Sequence, residues 1–219
     1  FHSTYGGVFG GNVPSRVFRN DGAGFFEEFN PSGVQLLGSQ IPNGTPALWC
    51  EGVHQHDTQN TTGEQADIAD TPLGVELGDL DGDLDIDVLQ GARNETPRLY
   101  RNRLDLGALA FRDVTFVSFA QFATGGGNYE QELGDLDNDG DLDLYGLNWP
   151  GFDDCTAPND GSGRFGSFST LAGSGSDDNE GDWLDYDNDG ALDIFVCNFS
   201  GQDRLYRNNG GPGWQHTHV

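Results

Sequence analysis

Lysine and methionine are absent from the 219-residue chain, and positive charge is scarce. The ten basic side chains are all arginines, whereas Asp and Glu number 36, so the formal net charge at pH 7 is −26. Such an acidic surface repels the phosphates of nucleic acids and of anionic lipids, and it attracts cations. We therefore expect neither nucleic acid nor direct membrane insertion among the interactions of this chain.

Long hydrophobic runs are also missing. No stretch approaches the ~18 apolar residues that cross a bilayer, and no signal segment opens the chain. Because the first residue is Phe1 rather than Met, we interpret the sequence as a processed or partial chain. The three cysteines (Cys50, Cys155 and Cys197) leave at least one thiol unpaired within the chain. A bridge between Cys155 and Cys197 and three small buried thiols are both compatible with this count.

Glycine and aromatic residues are abundant instead, with 34 Gly, 15 Phe, 6 Tyr and 4 Trp. So much glycine interrupts helices and supplies turns, while the aromatic side chains supply core material. The composition alone therefore favours an all-β fold of short strands.

An Asp-rich segment occurs three times without gaps, starting at Asp79, Asp135 and Asp185. The sequence Arg-Leu-Tyr-Arg-Asn begins 19 residues after the first and the third start, at Arg98 and Arg204. A glycine-rich turn and an aromatic strand follow in most copies. Each unit thus holds about four short strands in ~50 residues, which is the size of a β-propeller blade.

This periodicity predicts three full blades of four antiparallel strands, with a partial blade at each end. The predicted boundaries are 1–20 for the end of a blade, 21–102 for a blade with an insertion at 40–72, 103–159 and 160–208 for two further blades, and 209–219 for the first strand of a next or closing blade. The two end pieces could pair to close a small ring, or the chain could be part of a larger ring.

The loop chemistry indicates a cation. Carboxylates at positions 1, 3, 5 and 9 of a nine-residue loop repel one another unless a positive ion lies between them. Ca²⁺ accepts six to eight oxygen ligands in irregular geometry, whereas Mg²⁺ requires a regular octahedron. Solvated acidic loops without metal are the alternative.

Position 7 resembles the EF-hand position that offers a backbone carbonyl, because Ala191 has no side-chain oxygen there. An EF-hand itself is excluded, since its Glu at position 12 is Gly146 in the second loop and the flanks are strand-like. Leu84 stands where the other loops have Gly140 and Gly190, so we expect a distorted or weaker first site. About three Ca²⁺ sites are predicted, at Asp79, Asp81, Asp83, Asp85 and Asp87; at Asp135, Asp137, Asp139, Asp141 and Asp143; and at Asp185, Asp187, Asp189, Ala191 and Asp193.

The Asp loop, the following Ile- or Leu-rich strand, the Arg-Leu-Tyr-Arg-Asn sequence and the glycine turn together resemble the FG-GAP/VCBS repeats of integrin-like β-propellers. The resemblance covers nearly the whole chain apart from the insertion. It implies one structural Ca²⁺ per loop, with side-chain ligands at positions 1, 3, 5 and 9. It also implies an extracellular or cell-surface setting, and often adhesion or ligand binding.

Two histidine pairs offer other metal sites. His54 and His56, with Cys50 nearby, could hold zinc or could belong to a polar surface loop. His216 and His218 could bind metal or form a frayed end of the chain.

No catalytic motif is present, so we do not expect an enzyme. The predicted function is a non-catalytic, extracellular, calcium-binding module for a protein or carbohydrate ligand, with the insertion at 40–72 as the recognition surface. The alternatives are a structural subunit of a larger surface assembly and, more weakly, a polysaccharide-acting enzyme. A periplasmic location would also suit the sequence.

Overall fold

The computed structural model describes residues 18–28, 41–42, 50–51, 65–66, 72–92, 98–106, 111–119, 130–148, 150–171, 173–209 and 216–218. Helix in these residues is limited to a 3-10 turn at Leu104–Leu106 and the α-helical turn α1 (Thr115–Ser118). The all-β prediction is therefore confirmed. The strands are β1 (Phe18–Asn20), β2 (Phe26–Glu28), β3 (Ile41–Pro42), β4 (Cys50–Glu51), β5 (Gln65–Ala66), β6 (Pro72–Gly78), β7 (Asp87–Ala92), β8 (Arg98–Asn102), β9 (Phe111–Asp113), β10 (Glu130–Gly134), β11 (Asp143–Leu147), β12 (Cys155–Ala157), β13 (Ser169–Thr170), β14 (Asp178–Leu184), β15 (Asp193–Asn198), β16 (Arg204–Asn208) and β17 (His216–His218).

Three sheets share one pattern, in which four consecutive strands pair antiparallel in chain order. The first sheet contains β6 to β9, the second β10 to β13 and the third β14 to β17. Strand β4 adds to the first sheet, parallel to β9. Two smaller sheets pair β1 with β2 and β3 with β5. The described residues show no closed ring of sheets.

Each Asp-rich segment is the connection between the first and second strands of one of these three sheets. We call residues 79–87 loop 1, residues 135–143 loop 2 and residues 185–193 loop 3. The strand pairing continues right up to the loops, so each loop is held by a hairpin of fixed register. The pairs at the loop ends are Gly78 with Asp87, Gly134 with Asp143, and Leu184 with Asp193.

The hydrophobic core lies between successive sheets. Leu89 of the first sheet and Leu144 of the second belong to one buried cluster, and Tyr145 and Ile194 belong to a second cluster between the second and third sheets. The sheets approach closely at Gly134, where an added Cβ would lie 2.9 Å from Nε1 of Trp183. Stacking of this kind places the three loops in neighbouring positions.

The sheet boundaries differ from the predicted blade boundaries by one strand. Strand β2 pairs with β1 and not with the first sheet, and β9 closes the sheet that β6 begins. At the C-terminal side, β17 pairs with β16 as the outermost strand of the third sheet, whereas we expected 209–219 to begin a further or closing blade. The histidines of that segment, His216 and His218, are thus part of a paired strand and not of a frayed end.

Candidate metal centres

The structure brings together three acidic groups, one in each loop. In each group, one carboxylate oxygen from each of three Asp residues lies within 4.8 Å of the others. These residues occupy positions 1, 3 and 9 of the loops. The groups are Asp79, Asp81 and Asp87; Asp135, Asp137 and Asp143; and Asp185, Asp187 and Asp193.

The carboxylate at position 1 organises the turn of its loop. In loop 2, Asp135 accepts hydrogen bonds from the backbone N–H groups of Asp139, at 3.0 Å, and Gly140, at 3.1 Å. In loop 3, Asp185 accepts the same two bonds, from Asp189 and Gly190. Short Asp side chains satisfy nearby backbone donors in this way, which explains why the sequence turns here and does not continue the strand.

The carboxylate at position 9 is the buried member of each group. Asp143 is fully buried at the start of β11, and its two oxygens accept from the backbone N–H groups of Asn159, at 2.7 Å, and Leu136, at 2.8 Å. Asp87 and Asp193 are buried and bonded in the same way. Backbone donors thus fix the direction of each carboxylate before any ion is considered.

The backbone of loop 1 has the same shape as the other two loops despite its leucine. Leu84 has φ of 72°, and the glycines at the same position, Gly140 and Gly190, have φ of 100° and 90°. Leu84 N–H donates to Asp79 at 3.0 Å, as Gly140 N–H does to Asp135. The expected distortion is therefore absent, but a leucine in the left-handed region is strained.

Burial perturbs the ionisation of carboxylates in loops 1 and 2. Burial raises the pKa of Asp87 and of Asp143 to about 6, although the backbone N–H groups that bind these carboxylates lower it. Burial also raises the pKa of Asp81 and of Asp137. The charge of Arg101 lowers the pKa of Asp81, and the charge of the Asp at position 5 raises both. In loops 1 and 2 the arrangement therefore disfavours bare negative charge, which is the condition that a bound cation relieves.

Positions 5 and 7 lie outside the three groups. At position 5, Asp139 Oδ1 accepts from the backbone N–H of Asp141 at 3.3 Å. At position 7, the buried Oδ1 atoms of Asp85 and Asp141 have no hydrogen-bond partner. Burial and the neighbouring Asp139 raise the pKa of Asp141 to about 7. Whether Asp83, Asp139, Asp189 and the position-7 residues complete the ligand sets stays a prediction.

The donor set fits a hard cation. All the converging atoms are carboxylate oxygens, with no nitrogen or sulfur among them. Oxygen-only sets of this kind suit Ca²⁺, Mg²⁺ or Mn²⁺ and not Zn²⁺ or copper. The three groups could each hold a metal ion.

Among the residues that the structure describes, two arginines pair with the loops, which the sequence analysis did not predict. Arg101 forms an ion pair with Asp81, and Arg207 pairs with Asp187 at 2.6 Å and with Asp189 at 2.9 Å. Both are the fourth residue of Arg-Leu-Tyr-Arg-Asn. The recurrence of an arginine at this position, in phase with the Asp loops, could have indicated the ion pairs. Pro158 stands there in the middle unit, so the motif supplies no arginine to loop 2.

A buried acidic pair between the second and third sheets was also missed. Asp154 accepts from Tyr145 O–H at 2.8 Å and from the backbone N–H of Asn148 at 2.8 Å. Burial and the charge of Asp178 raise the pKa of Asp154 to about 8. Asp178 is itself buried and pairs with Arg204 at 3.4 Å. The pair lies outside the Asp loops, so the repeat pattern could not predict it.

Neither the predicted disulfide nor the predicted zinc site is found in the described residues. Cys197 is an exposed free thiol, so the bridge from Cys155 to Cys197 is not formed. The zinc site at His54 and His56 lies outside the described residues. No helix in the described part of the chain combines the length and the apolar character needed to cross a membrane.

No family model matches the chain, and no curated protein matches it.

Proposed function

We propose that each of the three loops binds one Ca²⁺ and that the ions stabilise a β-propeller segment. The observation that carries this proposal is the convergence of three Asp oxygens within 4.8 Å at the same place in three successive sheets. Carboxylates so close together repel one another, and a bound cation offsets that repulsion. In loop 2 the Arg-Leu-Tyr-Arg-Asn position that supplies an arginine to loops 1 and 3 is Pro158.

Calcium is the ion that the loop geometry supports best. Each loop follows an irregular turn with left-handed residues at its middle, such as Asn138 and Gly140 in loop 2. Ca²⁺ tolerates irregular coordination of six to eight oxygens, while Mg²⁺ requires an octahedron and retains its waters. When bound, the ion supplies charge neutralisation and a rigid crosslink between the two strands of its hairpin.

A blade-like interpretation rests on the sheet pattern. Three antiparallel sheets of four consecutive strands stack in chain order, and their first strands β6, β10 and β14 lie next to one another. Propeller blades are four-stranded sheets packed in this order. The resemblance to FG-GAP/VCBS repeats agrees with this arrangement.

We further propose that the module acts outside the cell as a non-catalytic binding surface for a protein or carbohydrate ligand. Support comes from the resemblance and from exposed large apolar side chains, namely Leu84 and Ile86 in loop 1 and Leu104, whose N–H donates to Asp85 of that loop. The insertion at 40–72, which we predicted as the recognition surface, falls mostly outside the described residues. Screening immobilised glycans and candidate proteins in Ca²⁺ and in EGTA tests the proposal of a calcium-dependent binding surface. A ligand affinity that is the same in Ca²⁺ and in EGTA would contradict it.

Thermal unfolding in Ca²⁺, Mg²⁺ and EGTA tests the metal assignment. An ion present at 100 times its Kd adds about 2.7 kcal/mol per site, which raises the Tm by roughly 5–10 °C for a chain of this size. Asp137→Asn should remove one such contribution, because its carboxylate converges with those of Asp135 and Asp143. Asp153→Asn is the matched control, since Asp153 is exposed and belongs to none of the three groups. Equal Tm values in Ca²⁺ and EGTA would refute the assignment.

A further inference from the structure

A continuous path of hydrogen bonds joins loop 1 to loop 2. It begins at Asp87, whose Oδ2 accepts from the backbone N–H of Leu80 at 3.1 Å. The carbonyl of Leu80 accepts from the side-chain amide of Asn159 at 2.9 Å, although Asn159 belongs to the next sheet. The backbone N–H of Asn159 then donates to Oδ1 of Asp143 at 2.7 Å. Two buried metal-site carboxylates are thus linked through one asparagine.

The same path continues from loop 2 to loop 3. Asp143 Oδ2 accepts from the backbone N–H of Leu136 at 2.8 Å. The carbonyl of Leu136 accepts from the side-chain amide of Asn208 at 2.9 Å, and the backbone N–H of Asn208 donates to Asp193 Oδ1 at 2.7 Å. All four of these residues are buried, so water does not compete for the bonds.

We propose that Asn159 and Asn208 are positioning residues that couple the three loops, so that an ion bound in one loop raises the affinity of the neighbouring loop. The proposal rests on the proposed function, because it presumes that the loops bind ions. An ion bound at a position-9 carboxylate orders the loop around it, including the carbonyl at position 2 that receives the amide of the next sheet. The neighbouring loop then loses less conformational entropy when it binds its own ion, so its affinity is higher. Occupancy of the neighbouring loop raises the affinity of the first loop by the same factor.

Asn102 provides an internal control. Its backbone N–H donates to Asp87 Oδ1 at 2.8 Å, as its two counterparts do with their own Asp. Its side-chain amide donates to the carbonyl of Ile86, which lies in its own loop. Asn159 makes the equivalent bond to Leu142 in addition to its bond across to Leu80. Alanine at Asn102 therefore removes the local amide bond without cutting a connection between the described loops.

Loop 3 can be observed separately from the other two. Tyr186 occupies its second position, where loops 1 and 2 have Leu80 and Leu136. Tb³⁺ binds Ca²⁺ sites through the same oxygen ligands, and its luminescence is excited through a nearby tyrosine. Tb³⁺ luminescence on the full chain can also be excited through Trp183, which lies against Gly134 beside loop 2. The part of the signal that Tyr186→Leu removes is therefore the part assigned to loop 3.

The experiment is a Tb³⁺ titration of loop 3 in the unmodified chain and in four variants: Asp137→Asn, Asn208→Ala, the two combined, and Asn102→Ala. We expect Asp137→Asn, an exposed change in loop 2, to weaken Tb³⁺ binding in loop 3 by about two- to tenfold, the factor that one intramolecular hydrogen bond contributes. Asn208→Ala should cause the same weakening and should make loop 3 insensitive to Asp137→Asn. Asn102→Ala should weaken Tb³⁺ binding in loop 3 less than Asn208→Ala does, because it leaves the hydrogen bonds between the loops in place.

The outcomes separate the coupling from the metal sites themselves. Normal Tb³⁺ binding in loop 3 that neither Asp137→Asn nor Asn208→Ala alters would overturn the coupling and leave the proposed function standing. Absence of Tb³⁺ and Ca²⁺ binding in the unmodified chain would overturn both. If Asn208→Ala does not fold, the comparison of Asp137→Asn with the unmodified chain decides alone, because a change in loop 2 must reach loop 3 for the proposal to hold.

Discussion

Leu84→Gly should stabilise the protein even though it removes a large side chain. Leu84 has φ of 72° and 91% of its surface is exposed, so almost no burial is lost with it. An L-residue in the left-handed region costs about 1–2 kcal/mol, and the additional freedom of glycine in the unfolded chain takes back about 0.4–1 kcal/mol. The expected net gain is about 0.5–1 kcal/mol, or roughly 1–4 °C in Tm for a chain of this size.

Thermal and urea unfolding in saturating Ca²⁺ measure this gain. Leu84→Ala is the control, because it removes the three side-chain carbons beyond Cβ but keeps the Cβ that causes the strain, and it should give no increase. Gly140→Ala is the reciprocal test: an added Cβ there meets nothing within 4 Å, so the loss of about 1 kcal/mol comes from the backbone alone. A lower Tm for Leu84→Gly than for the unmodified chain would refute the strain argument and indicate that Leu84 makes a stabilising contact.

Two further predictions concern the contacts between the second and third sheets. Asp154→Asn should flatten the pH dependence of stability. Burial raises the pKa of Asp154 in the folded chain to about 8 from 3.8, so between these values the folded chain binds one more proton than the unfolded chain at this residue. The free energy of unfolding therefore falls as the pH rises through this range. The difference in slope between the two proteins should be at most about 1.4 kcal/mol per pH unit between roughly pH 4 and 8, measured by urea unfolding, and identical slopes would contradict a protonated Asp154. Gly134→Ala should destabilise the chain by about 1–3 kcal/mol, because the added Cβ would lie 2.9 Å from Nε1 of Trp183. Gly140→Ala serves for comparison. A smaller loss of stability for Gly134→Ala than for Gly140→Ala would show that the second and third sheets can separate locally.

The repeat explains which parts of the structure the sequence could predict. Features that recur in phase were open to prediction, and the all-β fold is confirmed. Of the predicted ligand positions 1, 3, 5, 7 and 9, the structure groups the Asp residues at 1, 3 and 9, and metal binding by all five positions stays a prediction. The third unit illustrates the predictable part, because the Ile-rich strand expected after its Asp loop is β15 (Asp193–Asn198) in the structure.

Contacts between units were not predictable from a pattern that describes one unit at a time. The reach of Asn159 to the carbonyl of Leu80 spans 79 residues and depends on how two sheets stack. The pair of Asp154 and Asp178 lies outside the Asp loops and thus had no periodic signal. Leu84 was interpreted from residue type alone, whereas the hydrogen bonds of Asp79 hold its backbone in the same turn as glycine.

A count of the Ca²⁺ ions bound to one folded chain, by native mass spectrometry alongside calorimetry, tests the metal assignment most directly. We expect three ions for the unmodified chain, and at most two for Asp137→Asn at a Ca²⁺ concentration that just saturates the unmodified loops. A chain that folds and binds no Ca²⁺, or one whose ion count is the same for Asp137→Asn, would contradict the assignment of the three loops as metal sites.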